Sequence, residues 1–548
     1  MNNPMKRKLY RRCAAGLAAL MLTVSLDGCG KKAAVPAMEL KAVQTDDDYR
    51  TCYEVFVYSF RDSDGDGIGD LKGLIRRLDY INDGDDETTE DLGCTELWTM
   101  PVFPSPTYHK YDATDYESID PEYGTLDDLD ELVLECHARG IRYIMDLALN
   151  HTSVEHPWFV QAADYLQSLP DGEDPDVRVC PYVDYYNFSR EQQTGYEPLA
   201  DSDWYYEARF WSGMPDLNLD SLAVRGEIQE IVRFWLSRGV DGFRLDAVTS
   251  YYTDDRSSNI RFLSWLNETV KSVNPDAYLV GEAWTSSAEY SRYYESGVDS
   301  FFDFDFAGQD GVIASVVKGG KNASYFAEAM AKEEQLYSSV SENYINAPFY
   351  TNHDMARSAG YYAYDDGSET KLAGAMNLLM QGNAFVYYGE ELGMKGSGRD
   401  ENKRAPMQWL DNAEGEGMCT GPEEMEMPDM KFGSLESQDP DPASIVNYYR
   451  AAIRLRNAYP VIARGKTTPV EGLQGKTICA FTRTAQDSKM ETVMIVINTG
   501  EDPQTLDLAK AQAPVRHLSS YLVTGEDPAV QEGNTVTLPG RGIAVFTR

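Results

Sequence analysis

The chain has 548 residues, with 49 Lys and Arg against 89 Asp and Glu, for a formal net charge of −40. A surface this acidic repels a phosphate backbone and excludes nucleic acid as a partner. The hydrophobic fraction of 42% supplies a large core and excludes wholesale disorder. At ~150 residues per domain the length allows about three to four domains, or fewer if one large barrel takes half the chain.

The N-terminus reads as a targeting segment. Lys6, Arg7, Lys8, Arg11 and Arg12 form a basic region, followed by an apolar run of 13 residues over 14–26. That run is too short to span a bilayer and fits the hydrophobic part of a signal peptide. It ends in Leu26-Asp27-Gly28-Cys29, which resembles a bacterial lipoprotein cleavage box, where the cysteine takes the lipid and becomes the new N-terminus. The expectation is a signal peptide over 1–28, lipid on Cys29, a tether over 29–44 and an extracytoplasmic protein held to the cell membrane by that anchor only. An ordinary cleaved signal, leaving a secreted protein, is the alternative. No later segment approaches 18 uninterrupted apolar residues, so no transmembrane helix is expected.

Strand-like and helix-like segments then alternate. Short apolar runs rich in β-branched and aromatic residues lie at 52–60, 95–102, 142–150, 240–248, 277–284, 298–306, 344–352 and 384–388. Helical periodicity marks 126–139, 224–237, 368–380 and 444–459. Eight strands alternating with helices predict an α/β protein, a closed (β/α)8 TIM barrel over 45–151 and 213–459, with a doubly wound open sheet as the alternative. The Tyr-, Asp- and Pro-rich stretch over 152–212 breaks the rhythm after the third strand and predicts a small inserted domain. Beyond 460 the helical pattern gives way to alternating apolar segments at 476–483, 491–498 and 542–547, which predict a C-terminal all-β sandwich domain over 460–548. The six cysteines beyond Cys29 form no C-x-x-C pair, which argues against a structural zinc site. Cys52, Cys94 and Cys136 sit in apolar patterns and read as buried free thiols.

Catalytic groups of such barrels stand at the C-terminal ends of the strands. Here the third strand ends in Asp146-Leu147-Ala148-Leu149-Asn150-His151, the fourth in Gly242-Phe243-Arg244-Leu245-Asp246, the fifth in Gly281-Glu282-Ala283-Trp284 and the seventh in Thr351-Asn352-His353-Asp354. Any one of these could be a solvated strand terminus. Four at the same end of one barrel point to a site built from carboxylates, Arg and His. The chain has no nucleophile elbow, phosphate loop or H-E-x-x-H. Glycoside cleavage needs this donor set: one carboxylic acid protonates the leaving oxygen and a second carboxylate traps the oxocarbenium-like carbon. Arg244 and Asp246, two apart on a strand, face the same side, so the guanidinium can hold Asp246 ionised. An apolar wall at Trp284 would raise Glu282 and keep it protonated.

In this order, DLALNH, GFRLDAV, GEAW and TNHD resemble the conserved regions of the α-amylase family, glycoside hydrolase family 13, and MPDLN at 214–218 resembles a fifth. The resemblance covers roughly residues 50–460 and includes the family's plan of a barrel, a domain B after the third strand and a terminal β-sandwich. It implies a retaining enzyme with Asp246 as nucleophile, Glu282 as general acid and base, and Asp354 as transition-state stabiliser. It further implies that His151 and His353 bind hydroxyls of the same glucose, and that Tyr111, with His109, belongs to the segment stacking beneath it. Asp400 and Arg404 would hold the next glucose on the non-reducing side, a loop ion pair being the alternative.

Asp62-Ser63-Asp64-Gly65-Asp66-Gly67-Ile68-Gly69-Asp70 follows the first strand. Alternate carboxylates in a Gly-rich loop favour a hard cation such as Ca2+, an acidic turn without metal being the alternative. The loop begins like an EF-hand but has Gly73 where the bidentate Glu belongs. It resembles the calcium loop of oligo-1,6-glucosidases and their relatives, which implies ligands from Asp62, Asp64, Asp66, the Ile68 carbonyl and Asp70. MPDLN resembles the intermediary and neopullulanase-like groups, and small Ala247 after the nucleophile leans towards α-1,4 bonds. The function expected is hydrolysis of starch, maltodextrins or related α-glucans. A 4-α-glucanotransferase or an α-glucosidase on short oligosaccharides is the alternative, and a non-catalytic glycan-binding homologue a remote one.

Overall fold

A computed structural model describes residues 40–43, 45, 47–170, 172–427, 429–485 and 490–548. The expected signal peptide, the lipidated Cys29 and most of the tether lie outside the described residues. Among the described residues no helix is long and apolar enough to cross a membrane.

The barrel strands are β1 (Thr51–Val55), β2 (Glu96–Thr99) and β3 (Arg142–Leu147). After three strands of the inserted domain, β4 (Phe188–Ser189), β5 (Tyr196–Pro198) and β6 (Tyr205–Glu207), come β7 (Gly242–Leu245), β8 (Tyr278–Gly281), β9 (Ser300–Phe302), β10 (Ile345–Ala347) and β11 (Ala384–Tyr387). The eight barrel strands pair in parallel in the order β10-β9-β8-β7-β3-β2-β1-β11. A parallel bridge between Phe349 and Phe385 brings the two ends together, so the sheet is a nearly closed TIM barrel. Alternation fills the lumen: Cys52, Trp98, Ile144, Val280, Phe302 and Phe385 pack together inside it, while Tyr53, Val55, Leu97 and Met145 face the outer helices.

Helices start where capping residues stand. Thr125 and Asp128 form a capping box on helix Leu126–Ala138, and Ser221 caps Leu222–Ser237. Two barrel helices, Arg256–Val273 and Ser324–Val340, were not among the sequence expectations. Every barrel strand ends before its apolar run does. Met100, Leu149, Phe306 and Tyr350 follow strand ends yet are fully buried, because the mouth loops fold back over the barrel. The same loops carry Asp246, Glu282 and Asp354.

The inserted segment holds helix Pro157–Ser168 and a small antiparallel sheet in the order β4-β6-β5. Beyond 465 the chain is antiparallel β: a five-stranded sheet of β12 (Lys466–Pro469), β13 (Ile478–Thr484), β14 (Val493–Asn498), β16 (His517–Leu522) and β19 (Ile543–Thr547), and a three-stranded sheet of β15 (Gln504–Asp507), β17 (Val530–Glu532) and β18 (Thr535–Leu538). In β14, Val493, Ile495 and Ile497 join the barrel-side core, whereas Met494 and Val496 pack with Val536 and Leu538 of the smaller sheet. Burial on both faces explains why this strand reads as a continuous apolar run. All six cysteines in the described residues are buried and free, as expected for Cys52, Cys94 and Cys136.

Candidate active site

Arg244 is the centre of the barrel mouth. It is the third residue of β7 and fully buried. Its Nη1 lies 2.9 Å from Asp146 Oδ1 and 2.6 Å from Asp246 Oδ1, and its Nη2 lies 2.9 Å from Glu282 Oε1. One guanidinium therefore gathers three carboxylates from the adjacent strands β3, β7 and β8, across Trp98, whose ring centre is 5.3 Å from it. Ala247, next to Asp246, has φ of 45°, a left-handed conformation that is uncommon outside glycine. Its N–H donates to Glu282 Oε2 at 3.2 Å, so the turn after Asp246 also orients Glu282.

Three acids on one base cannot all ionise freely. Burial pushes Glu282 up to about 7; Arg244 opposes this, and Asp246 and Asp354 reinforce it. Burial likewise pushes Asp146 up to about 6, against the pull of Arg244. Trp284 is not the main cause of the Glu282 shift: its ring is half exposed and stacks on Phe304 at 5.1 Å.

A second chain of contacts crosses the mouth from β1. His353 is fully buried, with Nδ1 2.6 Å from Glu54 Oε1 and Nε2 3.1 Å from Asp354 Oδ2. Burial disfavours its charge, but Asp354 and Glu54 outweigh that and raise the ring to about 10. Arg404 holds the other Asp354 oxygen at 2.8 Å. Although burial works the other way, His353, Arg404 and Arg244 keep Asp354 well below the usual carboxylate range. The Tyr111 hydroxyl joins the two clusters, donating to Asp146 at 3.0 Å and lying 2.8 Å from His353 Nε2.

Asp246, Glu282, Asp354, Arg244, His353, Tyr111 and Arg404 thus share one network. His353 has both ring nitrogens engaged by protein groups, Nδ1 by Glu54 and Nε2 by Asp354 and the Tyr111 hydroxyl. Arg404 turns inward to Asp354 and Tyr108, while Asp400, expected beside it on the next glucose, lies 4.0 Å from it and pairs with Lys403 at 2.7 Å. His151 Nε2 is buried with no hydrogen-bond partner among the described residues, and the ring lies 5.3 Å from that of half-exposed Phe210. His109 accepts from the Tyr111 backbone N–H at 3.2 Å, and burial lowers its ring to about 4. The sequence reasoning missed Glu54 and the role of Asp146. The available signal for each was a lone carboxylate inside an apolar strand.

In the loop that follows β1, carboxylate oxygens of Asp62, Asp64 and Asp70 lie within 4.8 Å of one another. Oxygens ~2.3–2.6 Å from one calcium ion lie no further apart than that allows, so the three fit such a cation. Asp66 is not one of the three; its Oδ1 accepts from the Ile68 N–H at 2.7 Å. Gly65 and Gly67, with φ of 94° and 93°, make the turns that fold the loop on itself.

Paired carboxylates about a buried guanidinium, at the C-terminal mouth of a parallel barrel, carry the chemistry of glycoside hydrolysis. The family model for the α-amylase catalytic domain matches residues 54–465. The chain is 38% identical to alpha-amylase 3 of Dictyoglomus thermophilum, covering 83% of this chain and 85% of that protein. Among solved structures it resembles Eubacterium rectale Amy13B, with a TM-score of 0.88, 49% identity, and 93% and 97% of the two chains covered. It also resembles the α-amylase from H. orenii, with a TM-score of 0.80, 36% identity, and 92% and 100% covered. The chain belongs to the α-amylase family, glycoside hydrolase family 13. It is a retaining glycosidase, an enzyme for the hydrolysis of α-glucosidic bonds.

Proposed function

We propose that this enzyme cleaves mainly α-1,4 bonds in starch, maltodextrins or related α-glucans through a covalent glycosyl-enzyme. The observation that carries the reading is the sharing of Arg244 between Asp246 and Glu282, which holds the two acids within the span of one guanidinium. Retaining enzymes need their two carboxyl groups ~5–5.5 Å apart. Asp246 attacks the anomeric carbon while Glu282 gives its proton to the departing glycosidic oxygen. Glu282, now ionised, takes a proton from water, and that water displaces Asp246 and restores both groups. Asp354, kept ionised by its two cationic neighbours, binds sugar hydroxyls and stabilises the oxocarbenium-like carbon. His151 offers its unpartnered Nε2 to the same sugar, and His109 and Tyr111 form the wall beneath it. The α-1,4 preference is read from small Ala247 beside the nucleophile.

Asp62, Asp64 and Asp70, with Asp66 and the Ile68 carbonyl closing the shell, would hold a calcium ion that ties the first mouth loop together. Lipid on Cys29 would hold the enzyme outside the cytoplasm. The test is incubation with α-1,4 and α-1,6 glucans and separation of the products. Shorter α-1,4 products alone support this reading; growth of longer chains from maltotriose marks a glucanotransferase, and cleavage of α-1,6 bonds alone overturns the preference.

A further inference from the structure

We propose that Glu54 is a positioning residue for this reaction: from inside the barrel it fixes His353 in the orientation and the fully protonated form that hold Asp354 in place. This rests on the assignment of Asp354 as the transition-state stabiliser. Glu54 lies on β1 two residues from Cys52, so it shares the lumen face, where Cys52 packs with Trp98, Ile144 and Phe385. An ionised carboxylate in such a lumen is costly to bury unless paired. It is only 1% exposed, so it acts through another group rather than on the sugar. That group is His353, 2.6 Å away at Nδ1.

The geometry sets the protonation of the ring. Nδ1 faces a carboxylate oxygen of Glu54, and Nε2 lies 3.1 Å from Asp354 Oδ2 and 2.8 Å from the Tyr111 hydroxyl, whose own proton goes to Asp146; all three oxygens accept, so both nitrogens carry hydrogen. The other groups about the ring are consistent with this. Tyr111 lies over it with ring centres 5.6 Å apart and spends its proton on Asp146, the Arg404 side chain donates to the His353 carbonyl at 3.3 Å, Arg244 lies behind Tyr111, and Trp98 meets the ring edge at 5.8 Å. If the charge of Glu54 is lost, Asp354 is the one carboxylate left to hold the second proton on His353, beside the neutral Tyr111 oxygen. A neutral ring with its proton on Nδ1 turns a bare lone pair toward Asp354 Oδ2, and the carboxylate swings away from the sugar.

The test uses the full-length enzyme labelled with 15N in its histidine rings. Six histidines give a tractable spectrum, and H353N assigns the signal. In the wild type, His353 is expected to stay doubly protonated from about pH 6 to 9, well above an ordinary histidine. In Glu54→Gln, which keeps an acceptor but not the charge, His353 should titrate within that range. Its kcat at neutral pH should fall about tenfold to a hundredfold, the range found for carboxylates that orient metal-bound histidines. KM should change less, and the deficit should shrink at lower pH. Glu54→Asp should restore the charged ring and part of the rate. A neutral His353 in the wild type at pH 7 overturns the proposal without any variant, even if Glu54→Gln fails to fold. A folded Glu54→Gln with wild-type kcat and a charged ring also overturns it. If Asp354→Asn keeps full turnover, the assignment of Asp354 has failed instead, a result distinct from the other two.

Discussion

Two fully buried arginines in this molecule meet opposite surroundings. Arg483, on β13, sits between the barrel and the terminal sheets with one carboxylate, Glu334, at 2.7 Å, and with the Leu379 carbonyl at 3.0 Å. Arg244 has three carboxylates within reach. Around Arg483 the charges cancel, and its other contacts are neutral: the Gly465 and Leu379 carbonyls, the Thr467 hydroxyl and the Met330 sulfur; burial lowers its affinity for its proton. Around Arg244 negative charge is in excess. Burial again disfavours the charge, but Asp146, Glu282 and Asp246 hold the guanidinium protonated far more firmly than usual. Burial, reinforced by that excess, leaves one acid, Glu282, carrying a proton near neutral pH. A balanced pair holds two parts of the molecule together, whereas an unbalanced one divides acid from base.

The comparison breaks if the two sites respond alike to loss of an acid. Asp246→Asn and Glu282→Gln should each lower kcat by about a thousandfold or more, ~4 kcal/mol in the barrier, while the protein stays folded, as kinetics and circular dichroism would show. Near-normal turnover in either variant would undo the assignment. Glu334→Ala should do the reverse. It leaves Arg483 buried without a counter-charge and should cost about 3–5 kcal/mol of stability in denaturant titrations, with kcat unchanged below the transition.

The acidic loop after β1 sharpens the contrast, because there the neutralising charge is to come from a cation. Excess chelator should lower Tm, and added calcium should restore it. At a hundred times its dissociation constant the ion contributes about 2.7 kcal/mol. A melting curve indifferent to chelator would remove calcium from the account. The smallest effect concerns pH. Glu282 must be protonated in the free enzyme, so kcat/KM should be level below about pH 7 and fall about tenfold, ~1.4 kcal/mol, per unit above it. A profile flat to pH 9 would show that Glu282 is not the acid.

Much of this was legible in the chain. The eight apolar runs placed the barrel strands, and the polar residues closing four of them placed the mouth. Boundaries were less legible. The runs overshoot β1, β9 and β10 most, since Phe60, Phe306 and Tyr350 are as apolar and as buried as the ladder itself. Helix Arg256–Val273 buries Phe262, Leu263, Leu266 and Val270 at helical spacing, a signal carried by the sequence itself.

The sequence by itself determined which residue types stand at the strand ends, because side-chain alternation and strand direction are local properties. It therefore supplied Asp246, Glu282 and Asp354 as candidates. Only the tertiary structure decided who neutralises whom. Glu54 reaches His353 across 299 positions of the chain, and Arg404 chooses Asp354, 50 residues away, over Asp400 in its own turn. Those choices follow from which strands the barrel sets side by side and from how much solvent its mouth excludes, and neither is written in any short stretch of residues.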